Sequence, residues 1–168
     1  TISFDDISEP GTKNSFQVKT HISHGVLSST SVSELVFDDK TQKEISEFIG
    51  DKSPVTLTGK FSLLGGVTAL IDTVDVDHTD DETQEHIQIT PFHLSVKYPS
   101  DLNSFVAEGA WKGMTLSGKK DESIVVSDLV FSQNGQRFSD NLWLGKFEMA
   151  LDSITIRDKE RANIDVSA

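Results

Sequence analysis

The chain has 168 residues, 36% hydrophobic and 25% charged, with a formal net charge of -12, the balance of one folded domain able to bury a sizeable core. That charge argues against nucleic acid and anionic lipid headgroups as partners, since either needs a neutralising Lys/Arg cluster. With no cysteine there is no disulfide, thiolate nucleophile or zinc–cysteine site, and no apolar run reaches the roughly 20 residues that span a bilayer.

The first dozen residues are polar and read as a poorly ordered end. Phe16, Val18 and Ile22 then share one face while Gln17, Lys19, His21 and Ser23 take the other, the alternation of a half-buried strand. His21 and His24 lie three apart, which in a strand sends them to opposite faces and prevents chelation of one ion. Lys40 to Ile49 is the one helical stretch. Ile45, Phe48 and Ile49 fall at i, i+3 and i+4, Asp38 or Asp39 is available as a cap, and Gly50 follows the end.

Val55, Leu57, Phe61 and Leu63 alternate with Thr56, Thr58, Lys60 and Ser62, the cleanest strand pattern in the chain. Gly65-Gly66 supplies a hairpin turn into Leu70–Val76. The densest polar run follows, from Asp72 to His86, without a single Lys or Arg. Asp75, Asp77 and His86 could converge across a hairpin on a hard cation. The spacing is not that of an EF-hand loop, and a solvated hairpin tip is the simpler reading, so no metal ligand is assigned.

Ile87 and Ile89 stand in odd phase, but Phe92, Leu94, Val96 and Tyr98 stand in even phase. The slip falls at Thr90-Pro91, where a bulge would restore the apolar face. The same slip separates Phe147, Met149 and Leu151 from Ile154 and Ile156. Asn134-Gly135 is the strongest turn signal, placing a type I′ turn after the Leu129–Phe131 strand. The tail after Asp158 reads like the first dozen residues.

Two stretches repeat. Ser33-Glu34-Leu35-Val36-Phe37 returns as Ser127-Asp128-Leu129-Val130-Phe131, and Gly59-Lys60-Phe61 as Gly145-Lys146-Phe147. Self-similarity of this kind marks a duplicated supersecondary unit, here two β-meanders over about residues 15–77 and 104–158 of a single domain. The expected architecture is all-β: a long antiparallel meander of about eight to ten strands, curved into a half-barrel or a flattened sandwich, with at most one short helix.

His24-Gly25-Val26-Leu27-Ser28-Ser29, Gly109-Ala110-Trp111-Lys112-Gly113 with Leu116-Ser117-Gly118, and Asp140-Asn141-Leu142-Trp143-Leu144-Gly145-Lys146-Phe147 running into Leu151–Ile156 carry a resemblance. In these segments the chain resembles the YdgA-like family of bacterial envelope proteins of unknown function. The resemblance implies a periplasmic region of a longer protein anchored to the inner membrane by a segment outside this chain, which agrees with a start at Thr1 rather than Met. It brings no catalytic or ligand-binding residue. Lys40 to Ile49 looks like an insertion relative to the family's tight turn.

No Gly-x-Ser-x-Gly elbow and no cysteine offers a nucleophile. The glycines fall in or between strands rather than ahead of a helix, so they do not form a phosphate loop. No catalytic residue or cofactor is assigned, and an enzyme is the weaker reading. One face of most strands is apolar with little helix to cover it, and Trp111 and Trp143 either fill the concave side as core or line a ligand surface. Such a sheet curls on itself, packs on other parts of the full-length protein, forms a homo-oligomer, or holds an apolar ligand. The expected function is a non-catalytic structural or interaction module. The alternative is a carrier of a lipid or other hydrophobic molecule, in a groove lined by Phe16, Phe61, Phe92, Trp111, Trp143 and Phe147.

Overall fold

The computed structural model describes residues 2–5, 15–118, 122–157 and 164–167. Twelve strands and one helix follow in the order β1 (Ile2–Asp5), β2 (Ser15–His24), β3 (Ser28–Phe37), α1 (Asp39–Ile49), β4 (Val55–Ser62), β5 (Val67–Thr73), β6 (Val76–Thr79), β7 (His86–Ile89), β8 (Phe92–Tyr98), β9 (Ser104–Ser117), β10 (Ser123–Ser139), β11 (Leu142–Arg157) and β12 (Ile164–Ser167). All strands join one antiparallel sheet in the order β1-β2-β3-β4-β5-β8-β9-β10-β11-β12, and the β6–β7 hairpin attaches through β7 to β9. β1 and β12 do not meet, so the sheet is an open meander, all-β with one helix as the alternation requires. It is a single layer, not a sandwich.

The helix forms where its signals lie. Asp38 caps it, its carboxylate accepting from the Lys40 N–H at 3.1 Å and the Thr41 N–H at 3.0 Å, and Gly50, at φ 67°, closes the other end by donating to the Ser46 carbonyl at 2.9 Å. Gly65 and Gly66, at φ 85° and 93°, make the turn between β4 and β5. Two expectations change. Ile2–Asp5 and Ile164–Ser167 form the outermost strands, satisfying the open edges of β2 and β11; the remaining residues before 15, and 158–163, lie outside the described residues. Asn134-Gly135 is no turn either. It sits inside β10, with Asn134 opposite Lys146 and Gly135 opposite Gly145, and the chain reverses after Ser139 instead.

The reason for that glycine is close packing. A Cβ at residue 135 would enter the ring of Phe105 across on β9, and a Cβ at residue 109 would enter the ring of Phe131 across on β10. Each Phe thus lies flat over the other strand's glycine, the device by which an aromatic ring shields bare backbone in a sheet. Among the described residues the buried positions are Gly59, Ala107, Gly109, Gly113 and Gly135. Ala107, at 8% exposure, is the only buried hydrophobic side chain among them.

A crease crosses the part of the sheet from β7 and β8 to β11. Ile89 pairs with Met114, Met114 with Val126 and Val126 with Ile154, while Phe92 pairs with Trp111, Trp111 with Leu129 and Leu129 with Leu151. The β7–β8 junction, β9, β10 and β11 therefore each place two residues between the same pair of rows. The slips at Thr90-Pro91 and between Leu151 and Ile154 are present, but no strand bulges alone: all shift together and the pairing count is kept. Gly113 at φ 119° and Asp128 at φ 45° absorb the bend. Thr90 fastens it, its N–H and hydroxyl donating to the Gly113 carbonyl at 3.0 and 2.9 Å while its own carbonyl accepts from the Trp111 indole at 3.0 Å.

The two stretches that read alike in sequence lie in β3–β4 and β10–β11, adjacent antiparallel strands in both cases. Their registers differ. Gly59 pairs with Ser31, on the N-terminal side of Ser33–Phe37, whereas Gly145 pairs with Gly135, on the C-terminal side of Ser127–Phe131. The intervals before the two hairpin reversals are unequal, so Gly-Lys-Phe meets a different stretch of its neighbour each time.

Candidate functional site: the apolar sheet face and a cleft under the helix

Residues paired across an antiparallel ladder share a face, as do alternate residues along a strand. One row reads Gly59, Ala69, Val96, Ala107, Gln133, Phe147, and the next Leu57, Ile71, Leu94, Gly109, Phe131, Met149. Extended along each strand, this register sets Phe16, Phe61, Phe92, Trp111, Trp143 and Phe147 on one face. They do not form one groove. Phe131 bridges Phe92 and Phe147, with ring centroids 6.2 Å apart in both contacts, and Phe105 bridges Tyr98 at 5.9 Å and Trp143 at 5.7 Å. Phe16 packs against Phe37 at 6.5 Å near the β2 edge, Phe61 sits at the β4 hairpin end, and Trp111 lies at the crease. Phe105 and Phe131, the bridging rings, escape a reading of the sequence because only the cross-strand glycines place them centrally.

This face is open. Phe147 is 59% and Trp143 42% exposed, and Met149, Leu57 and Ile22 are exposed as well. The opposite face is largely polar, carrying the pairs Lys97–Glu108 at 3.6 Å, His93–Asp72 at 2.6 Å and Lys146–Glu148 at 2.5 Å. All are solvent-exposed and add little to stability.

Beyond the crease the register builds a second apolar row, His78, Ile87, Leu116, Ile124 and Ile156, drawn from five strands. Phe48 of α1 packs on His78, with ring centroids 4.5 Å apart and the planes tilted by 48°. Between helix and row lies a cleft of about 570 Å³ with this floor, while Asp80, Glu85, His86, Glu122 and Arg157 stand around it. An apolar floor under a charged rim holds a hydrophobic chain better than a polar substrate. Nothing local in the sequence marks the cleft, since each strand contributes a single residue to the row.

The acidic run is dispersed. Asp72 meets His93, Asp77 meets His86 at 2.8 Å, and Asp75 turns to Lys52 at 3.0 Å, whose hydrogen bond and charge hold its carboxyl below the ordinary value. Asp80 accepts from the N–H groups of Thr83 at 2.6 Å and Glu82 at 2.9 Å inside the β6–β7 turn, which likewise lowers its pKa. Among the described residues no three His, Asp or Glu side chains are placed to hold one metal ion. His24 Nδ1 hydrogen-bonds Ser29 Oγ at 2.9 Å across the hairpin, and His21 pairs with Val32. Ser117 and Lys120 have Ser-x-x-Lys spacing, but Ser117 ends a strand rather than opening a helix, and Lys120 lies outside the described residues. No helix among the described residues is long and apolar enough to cross a membrane.

No curated protein and no solved structure matches the chain. A family model does, and it spans residues 2–168. The open, one-sided sheet described above therefore belongs to a member of DUF945, a family of bacterial proteins of unknown function.

Proposed function

We propose that the chain is a non-catalytic interaction module of a bacterial envelope protein, and that the open aromatic face is its working surface. One observation carries this: a single-layer sheet keeps an apolar face without a second layer, and Ala107 is the only hydrophobic side chain buried among the described residues. Domains ordinarily bury such a face against another layer, so another part of the full-length protein, or a second copy, closes it. The resemblance to YdgA-like proteins supports a periplasmic setting with an inner-membrane anchor.

The test is sedimentation of the chain across a concentration series, with binding of an environment-sensitive apolar dye read in parallel. Self-association or strong dye binding is expected, and Phe147→Asp, which charges the centre of the face, should weaken either one while strand content is kept. A monodisperse chain that binds no dye would overturn the reading.

The cleft favours a second reading, a carrier of a lipid or similar hydrophobic molecule. Its roughly 570 Å³ and aliphatic floor suit one apolar chain. Native mass spectrometry of the purified chain decides between them: a co-purifying lipid lost in Ile124→Asp marks the carrier.

A further inference from the structure

The hairpins raise a separate question at one end of the sheet. Strands β2, β4, β8 and β10 run toward this end and β3, β5, β9 and β11 run away from it, so four consecutive reversals line up along one rim. The tips are joined to one another: the Leu63 N–H donates to the Leu27 carbonyl at 3.0 Å, Gly65 packs against Ser100 too closely to admit a Cβ, and the Arg137 N–H donates to the Asn103 carbonyl at 2.7 Å. Reversals normally carry Gly, Asn, Asp, Ser or Pro, whose backbone preferences or short polar side chains suit a turn in water. Here they also carry Val26, Leu27, Leu63, Leu64, Leu102 and Phe138, between 54% and 90% exposed. Turn chemistry explains the glycines beside them, not these side chains, and at such exposure packing explains them no better. Singly scattered surface hydrophobics need no account, but a contiguous rim does.

Two further observations give the rim a direction. One row inside it lie Phe61, Tyr98 and Phe105, and Trp143, one row nearer the rim, packs its ring against Phe105. Aliphatic tips backed by Trp and Tyr rings reproduce the order in which proteins meet a bilayer, leucines in the acyl region and amphipathic rings at headgroup level. Charge is segregated the opposite way. Residues 61–67 contain no ionisable side chain, and 25–28 none either, while Asp80, Asp81, Glu82 and Glu85 crowd the β6–β7 turn at the far end of the sheet. Two carboxylates do stand at this end, Asp140 at the fourth tip, paired with Arg137 at 2.8 Å, and Asp101 in the third, which accepts from the Asn103 N–H at 3.0 Å.

We infer that this rim docks the protein on a lipid bilayer, the apolar β2–β3 and β4–β5 tips entering the outer acyl region with Leu102 and Phe138 beside them, the more polar β8–β9 and β10–β11 turns staying at headgroup level, and the acidic end facing water. The contact is hydrophobic rather than electrostatic, because the tips carry no cationic cluster and the chain bears -12. Zwitterionic lipid is therefore favoured over anionic lipid, and added salt does not weaken binding. Insertion to a depth of about 5–10 Å is what such a surface achieves. This adds a membrane contact made by the domain itself, and it does not depend on what closes the sheet face.

The experiment is co-sedimentation of the 168-residue chain with phosphatidylcholine vesicles, with tryptophan emission recorded. The chain should pellet with the vesicles, its emission should move to the blue, and binding should hold as salt is raised and fall when phosphatidylglycerol replaces phosphatidylcholine. Val26→Ser with Leu64→Ser should weaken partitioning about 100-fold, roughly tenfold per side chain, with an unchanged circular dichroism spectrum because both side chains stand in solvent. Trp143→Phe should lose much of the blue shift yet still pellet, which reports the depth of the aromatic row. Failure to pellet would overturn the inference, as would binding that survives the double substitution. So would a double variant that abolishes self-association in the absence of vesicles, since the rim would then join two copies.

Discussion

The sheet on the two sides of the crease shows two ways of treating one apolar face. Toward the rim the face is aromatic, and its rings lie on glycines: Phe131 over Gly109, Phe105 over Gly135. Beyond the crease it is aliphatic, with Ile87, Leu116, Ile124 and Ile156 in one row and α1 brought over it by Phe48. A planar ring can lie down and shield backbone, so the first region excludes some water with its own side chains. Branched aliphatic side chains stand off the sheet and need a cover from elsewhere. The residues between β3 and β4, which a tight turn could have replaced, supply that cover.

The strongest way to break the comparison is to remove the crease. Gly113 sits at φ 119°, and a Cβ there would run into the Val126 carbonyl. Gly113→Ala should cost at least about 3 kcal/mol, adding a strained backbone to a backbone clash. Urea denaturation measures it, and a loss below about 1 kcal/mol would mean that the crease relaxes freely.

Next comes the aromatic device. Gly135→Ala places a methyl in the ring of Phe105, an overpacking expected to cost about 1–3 kcal/mol. In a Phe105→Leu background the penalty should shrink, because the smaller side chain vacates the space. A double-mutant cycle with no coupling would show that ring and glycine are not partners.

The same pair marks the limit of what was legible. The strands, the helix and the Gly65-Gly66 turn were readable because their causes lie within a few residues: alternation, a cap, positive φ. Asn134-Gly135 misled because its cause is Phe105, thirty positions earlier and on another strand. Two slips in phase were visible, at Thr90-Pro91 and after Leu151. The matching ones, between Trp111 and Met114 and between Val126 and Leu129, do not stand out in the sequence, and only register shows that all of them lie on one line. Of the six nominated aromatics, parity put all on one face, whereas their division into clusters required the bridging rings.

On the far side of the crease, Phe48→Ala should uncover the aliphatic row. Phe48 is half exposed, so the expected cost is about 1–2 kcal/mol, well below that of a fully buried ring. The melting temperature and apolar-dye binding follow it together if the helix is a cover. A variant with lowered stability and no added dye binding would show that α1 contributes only contacts to β3 and β6.

The smallest effect is a titration of the helix that provides the cover. Asp38 is held below its ordinary value of 3.8, chiefly by the Thr41 N–H and further by the Thr41 hydroxyl and the Lys40 N–H, all of which favour the carboxylate. A lowered folded-state pKa gives stability that is complete above the unfolded value and lost as pH falls through the folded one. The cap should therefore hold at neutral pH and release α1 only in the window below about pH 4. Asp75 and Asp80 are lowered too and titrate in the same direction, so the difference between the parent chain and Asp38→Asn isolates the cap. Asparagine caps as well as aspartate but does not titrate. Its helical circular dichroism should fall less between pH 5 and pH 3 than that of the parent, and identical acid profiles for the two would show that the charge on Asp38 does not hold the helix end.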